Sequence, residues 1–409
     1  MKAVLLAAGT GSRMRPLSAT RPKPMLPAGD RPILAHTADA AVAAGADELV
    51  IVDRSFPIVR DAFGDAYQGT PVTYVDQGEA TGTAGAVAAA APELDDAFAV
   101  LNGDNLYDAA SIERLFDQAP AVGVHEVADP RSYGVVSTRG STVTGIVEKP
   151  DDPPTSLANT GAYVFPAEAA AWLDVPESER GEHELTDVLA RTIDAVEVTV
   201  VEVDRWLDCG RPWEVLEANE LVVGDATRDV QGDVHPSADL QGDVVVEAGA
   251  TIEAGTVIEG PVLVRSGASV GPNAYVRGTT MIGPNASVGN AVEVKNSVLM
   301  DGATVPHLSY VGDSVLGRDV NLGAGTTVAN LRHDDADVEL TVKGERVSTG
   351  RRKFGVVLGD RAKTGIDTNL DAGVIMDVET VTRPGETVVR DRWQDDPVAV
   401  PEKIEPKPS

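Results

Sequence analysis

The sequence predicts a chain in two parts, an α/β domain over residues 1–225 and a parallel β-helix over 229–393, with a flexible tail at 394–409. Two observations carry this. Strand-like and helix-like segments alternate through the first half, and from Val234 an aliphatic residue recurs at every sixth position. The two patterns meet at "GDATRDVQGD", residues 224–233.

In the first part, Ala3–Ala8, Leu49–Asp53, Val72–Val75, Phe98–Leu101, Val122–Val127 and Val196–Val203 are apolar runs of strand length. Helical spacing fills Ile33–Ala44, Ala84–Ala91, Ala109–Phe116 and Leu185–Ile193. Alternation of this kind predicts a mostly parallel sheet covered by helices on both faces. Such sheets bind ligands beyond the carboxyl ends of their strands.

In the second part the six-residue series runs Val234, Leu240, Val246, Ile252, Ile258, Val264, Val270, Val276, Ile282, Val288 and Val294, then Met300. Small or β-branched residues stand two places before most of these, for example Ala250, Ala268, Ala274 and Ala286. Turn formers follow, among them Gly242, Pro272, Gly278 and Asn290. A strict hexad is the signature of a parallel β-helix, with three hexads to a coil and the aliphatic residues stacked inward. The phase slips between Met300 and Leu316, residues 331–355 leave the pattern, and the repeat returns near Leu358, Leu370 and Met376.

Composition narrows the function classes. The chain has 409 residues, is 43% hydrophobic and carries a net charge of −30 from 64 acidic and 34 basic residues. That field repels nucleic acid and anionic membranes. It suits a solvated surface in concentrated salt, where screening removes self-repulsion. No apolar run reaches spanning length, and "MKAVLLAAG" is too short for a signal peptide, so the expectation is a cytoplasmic protein. A lone cysteine, Cys209, excludes an internal disulfide.

Against this background "AAGTGSRMRPLSATRPKP" concentrates basic residues on a glycine-rich loop. A dinucleotide loop needs a third glycine and an immediate helix, and a Walker loop needs Gly-Lys-Ser/Thr; neither is present. What remains is a loop whose backbone amides bind phosphates while Arg13 and Lys23 add charge. Arg15 and Arg21 fit a surface role equally well.

This segment, Gly9-Thr10-Gly11-Ser12-Arg13 with Pro22-Lys23, resembles the sugar-1-phosphate nucleotidyltransferases. The resemblance implies a Rossmann-like nucleotidyltransferase domain, a nucleotide site at Ala8, Gly9, Gly11, Gln77, Gly82 and Thr83, and catalytic Arg13 and Lys23. It also implies Mg²⁺ ligands at Asp104 of "LNGDNLYD" and Asp208 of "RWLDCG". The segments "YGVV", "VEKP" and "NTGAYVF" imply a sugar pocket of Gly134, Glu148, Lys149, Asn159 and Gly161.

The hexads joined to such a domain resemble the bifunctional N-acetylglucosamine-1-phosphate uridyltransferase/glucosamine-1-phosphate acetyltransferases, in the arrangement of the archaeal members. That resemblance implies a left-handed β-helix, acetyl-CoA as co-substrate and a homotrimer. By the same resemblance His307 of "HLSY" is the general base. Arg277, Lys295, Tyr310, Asn321 and Lys353 hold the sugar phosphate, and Ala324 and Asn330 contact acetyl-CoA. Ile366 departs from the bacterial pattern, which has serine there. Arg351, Arg352 and Lys353 form a basic cluster that reads either as an anion clamp or as a solvated loop.

The expected reaction pair is acetylation of glucosamine 1-phosphate, then transfer of UMP or dTMP from UTP or dTTP to the sugar 1-phosphate. The alternative is a monofunctional glucose-1-phosphate uridylyl- or thymidylyltransferase whose β-helix only assembles trimers.

Overall fold

The computed structural model describes residues 1–178 and 181–394. The expected tail therefore lies, apart from residue 394, outside the described residues. The chain forms two compact units. One comprises Met1–Gly11 and Arg21–Gly210; the other comprises Ser12–Thr20 and the chain from Arg211.

The first unit holds a ten-stranded sheet. Its order is Gly134–Arg139, Thr142–Glu148, Thr199–Glu202, Ala121–Glu126, Leu157–Phe165, Phe98–Asn102, Lys2–Leu6, Glu48–Asp53, Thr70–Asp76 and Ala66–Tyr67. Lys2–Leu6 runs parallel to both its neighbours, and Glu48–Asp53 runs parallel to Thr70–Asp76. Lys2–Leu6, Glu48–Asp53 and Phe98–Asn102 are buried on both sides, which is why they read as continuous apolar runs.

The sheet is mixed rather than mostly parallel. Leu157–Phe165 is antiparallel to both strands beside it, and Gly134–Arg139 pairs antiparallel with Thr142–Glu148. The physical reason lies in the link between the last two. Only Gly140 and Ser141 separate them, and Gly140 has φ +64. A connection that short closes a hairpin and cannot cross over to a parallel strand.

Helices pack on this sheet: α1 (Ile33–Ala43), α2 (Pro57–Phe63), α3 (Gly82–Ala90), α4 (Ala109–Asp117) and α5 (Leu185–Ala195). In α4 the Asp108 carboxylate accepts from the Ser111 amide at 2.9 Å, capping the helix, while Ile112, Leu115 and Phe116 bury one face. The pattern and the cap together fix where α4 starts and which side it presents.

The second unit begins with α6 (Pro212–Gly224) and continues as three parallel sheets of eight, five and eight strands. As far as Val298–Leu299 each strand pairs with the strand three positions further along the chain: Val244–Val246 with Val262–Val264, and that strand with Thr280–Ile282. Such an arrangement is consistent with a β-helix. The inward aliphatic residues from Val246 to Val294 are essentially fully buried. Burial of each such side chain is worth about 1.5–3 kcal/mol, repeated at every coil.

The break in period falls earlier than the hexad count suggests. Ile282 stacks on Leu299, not Met300, and Leu299 stacks on Leu316. Two corners are one residue short, one between Val294 and Leu299 and one between Val311 and Leu316. Met300 is buried and apolar as well, so sequence alone does not distinguish the two. The excursion after Val328 is a hairpin of Glu339–Val342 and Glu345–Ser348, closed by a bridge between Leu331 and Lys353. The repeat resumes at Val357–Leu358.

Candidate active sites

In the first unit the central parallel strands end side by side at Leu6, Asp53 and Asn102. Gly103 follows, its amide donating to the Leu6 carbonyl at 3.0 Å, and a Cβ there would lie 2.7 Å from that oxygen. Only glycine lets the chain turn this tightly into Asp104. The short strand Asn105–Tyr107 then pairs antiparallel with Trp206–Asp208, setting Asp208 opposite Asn105. The Cys209 amide donates to the Asp104 carbonyl at 3.2 Å. Two aspartates distant in sequence are thereby neighbours.

Their carboxylates converge on one cation. Lys23 Nζ lies 2.6 Å from Asp104 and 3.6 Å from Asp208, with its own side chain only 7% exposed. Burial alone would lower the Lys23 pKa, but the two carboxylates outweigh it and raise it well above the usual lysine range. Lys23 therefore stays charged throughout the physiological range. The ammonium marks a position where these two carboxylates accommodate a cation, and a divalent ion fits the same donors. No group of three or more metal-ligating side chains occurs among the described residues. Two carboxylates completed by water and substrate phosphate oxygens is the usual habit of Mg²⁺.

The glycine loop opens from the same strand ends. Ala8 is buried, and its carbonyl accepts from Arg54 Nε at 3.1 Å. A Cβ on Gly9 would meet nothing within 4 Å, and Gly11 has φ +60. Gly9 is thus small without any internal packing reason, which leaves its backbone open to a ligand. Arg13 belongs to the second unit, exposed on the short helix Ser12–Met14.

Gln77 is buried, and its Nε2 donates to the carbonyls of Ala80 and Gly82 at 2.9 and 3.1 Å, shaping the loop that precedes α3. A Cβ on Gly82 would fall 2.2 Å from the His183 carbonyl oxygen. The Thr83 hydroxyl accepts from the Leu185 amide at 3.0 Å. The segment before α5 is thus pinned to the 77–83 loop.

The expected sugar-pocket residues also gather. Gly134 pairs with Glu148, and a Cβ on Gly134 would lie 2.9 Å from the Glu148 carboxylate and 3.4 Å from Asn159 Nδ2. Asn159 donates to Tyr163 Oη at 2.6 Å and accepts from the Gly161 amide at 3.1 Å. Gly161 has φ +73, and a Cβ there would strike the Asn102 side chain at 2.1 Å. Lys149 is exposed and lies 3.2 Å from Glu148.

Sequence reasoning missed Tyr163 and Glu184 here. Burial raises the Tyr163 pKa, and the nearby Glu148 and Glu184 carboxylates raise it further. Glu184, itself buried, accepts from Ser178 Oγ at 2.9 Å. The acidic residue standing directly before α5 was the available signal.

In the second unit Lys295, Tyr310 and Asn330 meet around a buried carboxylate, Asp313. Arg277 stands on the adjacent strand, in register with Lys295, and donates to Glu293 at 2.7 and 2.9 Å. Burial, with the Asp313 and Glu293 charges, raises the Tyr310 pKa and keeps its hydroxyl a donor. His307 is exposed, and its imidazole makes no hydrogen bond among the described residues. Its carbonyl accepts from Ser309 Oγ and from the Gly325 amide, both at 2.9 Å.

Asn321 is exposed and bridges Thr304 and Lys363 through its backbone, while the Ala324 carbonyl accepts from the Asp367 amide at 2.8 Å. Neither joins the Asp313 cluster through a hydrogen bond among the described residues. Of the basic cluster, Arg351 forms a two-pronged pair with Glu220 and Arg352 pairs with Asp335. Only Lys353, exposed beside Leu331, has no carboxylate partner among the described residues.

Two family models match separate stretches of the chain. Residues 2–223 match the nucleotidyl transferase family, and residues 258–383 match the GMPPB C-terminal domain. The chain is 39% identical over 381 residues to the bifunctional protein GlmU of Methanocaldococcus jannaschii, covering 91% of each chain. It is 36% identical over 399 residues to the bifunctional sugar-1-phosphate nucleotidylyltransferase/acetyltransferase of Sulfurisphaera tokodaii, covering 96% of this chain and 98% of that one. Among solved structures it resembles a glucose-1-phosphate thymidylyltransferase of Bacillus anthracis, with TM-score 0.50 and 28% identity over 54% of this chain and 94% of that one. With the nucleotidyl transferase match spanning half of the sequence and these relatives matching nearly all of it, the chain belongs to the family of archaeal GlmU-type bifunctional sugar-1-phosphate nucleotidylyltransferase/acetyltransferases.

Proposed function

We propose that this chain acetylates glucosamine 1-phosphate and then converts the product to a nucleotide sugar such as UDP-N-acetylglucosamine. The observation that carries the nucleotidyl half is the convergence of Asp104 and Asp208 on the Lys23 ammonium at the carboxyl ends of the central strands. The sugar phosphate oxygen attacks the α-phosphorus of UTP or dTTP, and pyrophosphate leaves. Asp104 and Asp208 would hold Mg²⁺, which supplies neutralisation of the phosphate charge when bound. Lys23 and Arg13 add positive charge toward the leaving pyrophosphate. The amides of Ala8, Gly9 and Gly11, with Gln77, Gly82 and Thr83, receive the nucleotide. Gly134, Glu148, Lys149, Asn159 and Gly161 receive the sugar.

For the acetyl half, the free amine of the sugar attacks the thioester carbonyl of acetyl-CoA, and the CoA thiolate leaves. His307 accepts the proton shed by the attacking nitrogen, a task an imidazole can perform near neutral pH. Arg277, Lys295, Tyr310, Asn321 and Lys353 hold the phosphorylated sugar, while Ala324 and Asn330 face acetyl-CoA. The three parallel sheets are read as a left-handed β-helix that assembles as a homotrimer. The −30 charge fits a cytoplasm rich in salt. No helix among the described residues is long and apolar enough to cross a membrane.

The test is a matrix of nucleoside triphosphates against sugar 1-phosphates, with free thiol from acetyl-CoA measured in parallel. Thiol release with glucosamine 1-phosphate and pyrophosphate release with UTP or dTTP are expected from one preparation. Pyrophosphate release with no thiol from any amino-sugar 1-phosphate would leave a monofunctional nucleotidyltransferase carrying a scaffold.

A further inference from the structure

Asp313 is buried, yet it is a charged residue at a corner where neutral ones suffice. Earlier coils place Gly242, Gly260, Gly278 and Asn296 at this corner, and Gly278, Asn296 and Asp313 have φ of +64, +44 and +51. Apart from Gly260 these corner residues are left-handed, a conformation that glycine or asparagine provides without burying a charge. A carboxylate there costs desolvation that only specific partners offset.

Its partners are four contacts from three side chains. Lys295 Nζ lies 2.9 Å from Oδ1 and 2.8 Å from Oδ2, Asn296 Nδ2 donates to Oδ1 at 3.1 Å, and Asn330 Nδ2 donates to Oδ2 at 2.5 Å. A carboxylate only accepts, so the Asn330 amide can face it in one orientation, with Nδ2 inward and Oδ1 turned away. The same Nδ2 donates to Tyr310 Oη at 3.1 Å, so the Tyr310 proton remains available to another acceptor. Lys295 has three N–H donors and spends at most two on Asp313. On the far side, Asn296 Nδ2 also donates to Glu220 of α6 at 2.8 Å, and Arg351 pairs with Glu220. The cluster is braced from two directions.

We propose that Asp313 is a positioning residue of the acetyltransferase site, presetting Lys295, Tyr310 and Asn330 as one unit. So set, the unit presents an ammonium N–H and a phenol O–H to an anionic phosphate group. It presents the Asn330 carbonyl oxygen to a donor, such as an amide N–H of the pantetheine arm. This inference rests on the acetyltransferase reading above.

The experiment measures acetyl transfer by the full chain carrying Asp313→Asn. The KM for glucosamine 1-phosphate should rise roughly 10- to 100-fold, as expected for losing hydrogen bonds to a charged group, with a smaller fall in kcat. Nucleotidyl transfer should be unchanged. On a Lys295→Met background the same substitution should cost less than about threefold more, because Asp313 acts through Lys295. Asp313→Gly restores the residue type of the earlier corners and keeps the test alive should the asparagine variant misfold. A folded variant of either kind with wild-type KM overturns the proposal, as does full additivity with Lys295→Met. Wild type that releases no thiol overturns the acetyltransferase reading itself, and this inference with it.

Discussion

Replacing Lys23 by methionine removes the cation that joins Asp104 to Asp208 and keeps the volume of the side chain. At distances of 2.6 and 3.6 Å and an effective dielectric of about 20, Coulomb's law gives gross attractions of roughly 6 and 5 kcal/mol. Desolvation of the buried ammonium offsets much of this, and breaking a fully buried pair costs about 3–5 kcal/mol. The two carboxylates are 29% and 27% exposed, so water relieves part of the loss. The expected destabilisation is about 1–3 kcal/mol, or roughly 2–12 °C in the melting of a unit this size. The sign with pH follows from the raised Lys23 pKa. The contribution is fully present below the ordinary lysine value of about 10.4 and is lost only as pH rises through the higher folded value. The stability gap between wild type and variant should therefore stay constant from about pH 7 to 9. Two readouts complete the assay. Pyrophosphate release should fall about 10²–10³-fold, the usual worth of one charge aimed at a developing anion. Added Mg²⁺ should raise the variant's melting temperature more than the wild type's, because the ammonium no longer competes for the same carboxylates. Equal shifts in both proteins, or unchanged pyrophosphate release, would refute the shared cation position.

Two further outcomes are expected. Gly82→Ala places a Cβ 2.2 Å from the His183 carbonyl at φ +75, so it should cost about 1–3 kcal/mol and raise the KM for the nucleotide more than that for the sugar phosphate; a wild-type nucleotide KM would count against that loop as the nucleotide site. In concentrated salt, small-angle scattering should give about three times the 42.7 kDa chain mass, and dialysis to low salt should lower the melting temperature as the −30 charge loses screening. A monomeric mass, or a melt indifferent to salt, would remove the trimer or the halophilic reading respectively.

The legible parts of the fold were those where one physical rule acts on its own. A coil whose core takes one aliphatic residue per face writes its period into the chain, and Val246 to Val294 followed it without a miss. The shortened corner after Val294 stayed hidden, because Leu299 and Met300 are both apolar and both buried. Strand direction was hidden for a different reason. Leu157–Phe165 has a strand's composition whichever way it runs, and its antiparallel place depends on distant neighbours. In the sites, motif order named Asp104, Asp208 and Lys23 but not that the lysine would lie between the aspartates, since that depends on the pairing of Asn105–Tyr107 with Trp206–Asp208. Asp313 was not singled out from the sequence, because its partners Lys295 and Asn330 come from other coils. Arg351 looked like a free cation for the same reason, its partner Glu220 lying on α6.

The central claim is that one chain carries two separable chemistries. The most direct measurement follows thiol release and pyrophosphate release together on wild type, Asp104→Asn and His307→Ala. Wild type should show both. Asp104→Asn should lose pyrophosphate release and keep thiol release. His307→Ala should lose roughly 10²–10⁴-fold in thiol release, keep pyrophosphate release and melt as wild type does. Parallel loss of both activities in either variant, or a His307→Ala protein that melts early yet acetylates normally, would contradict the account.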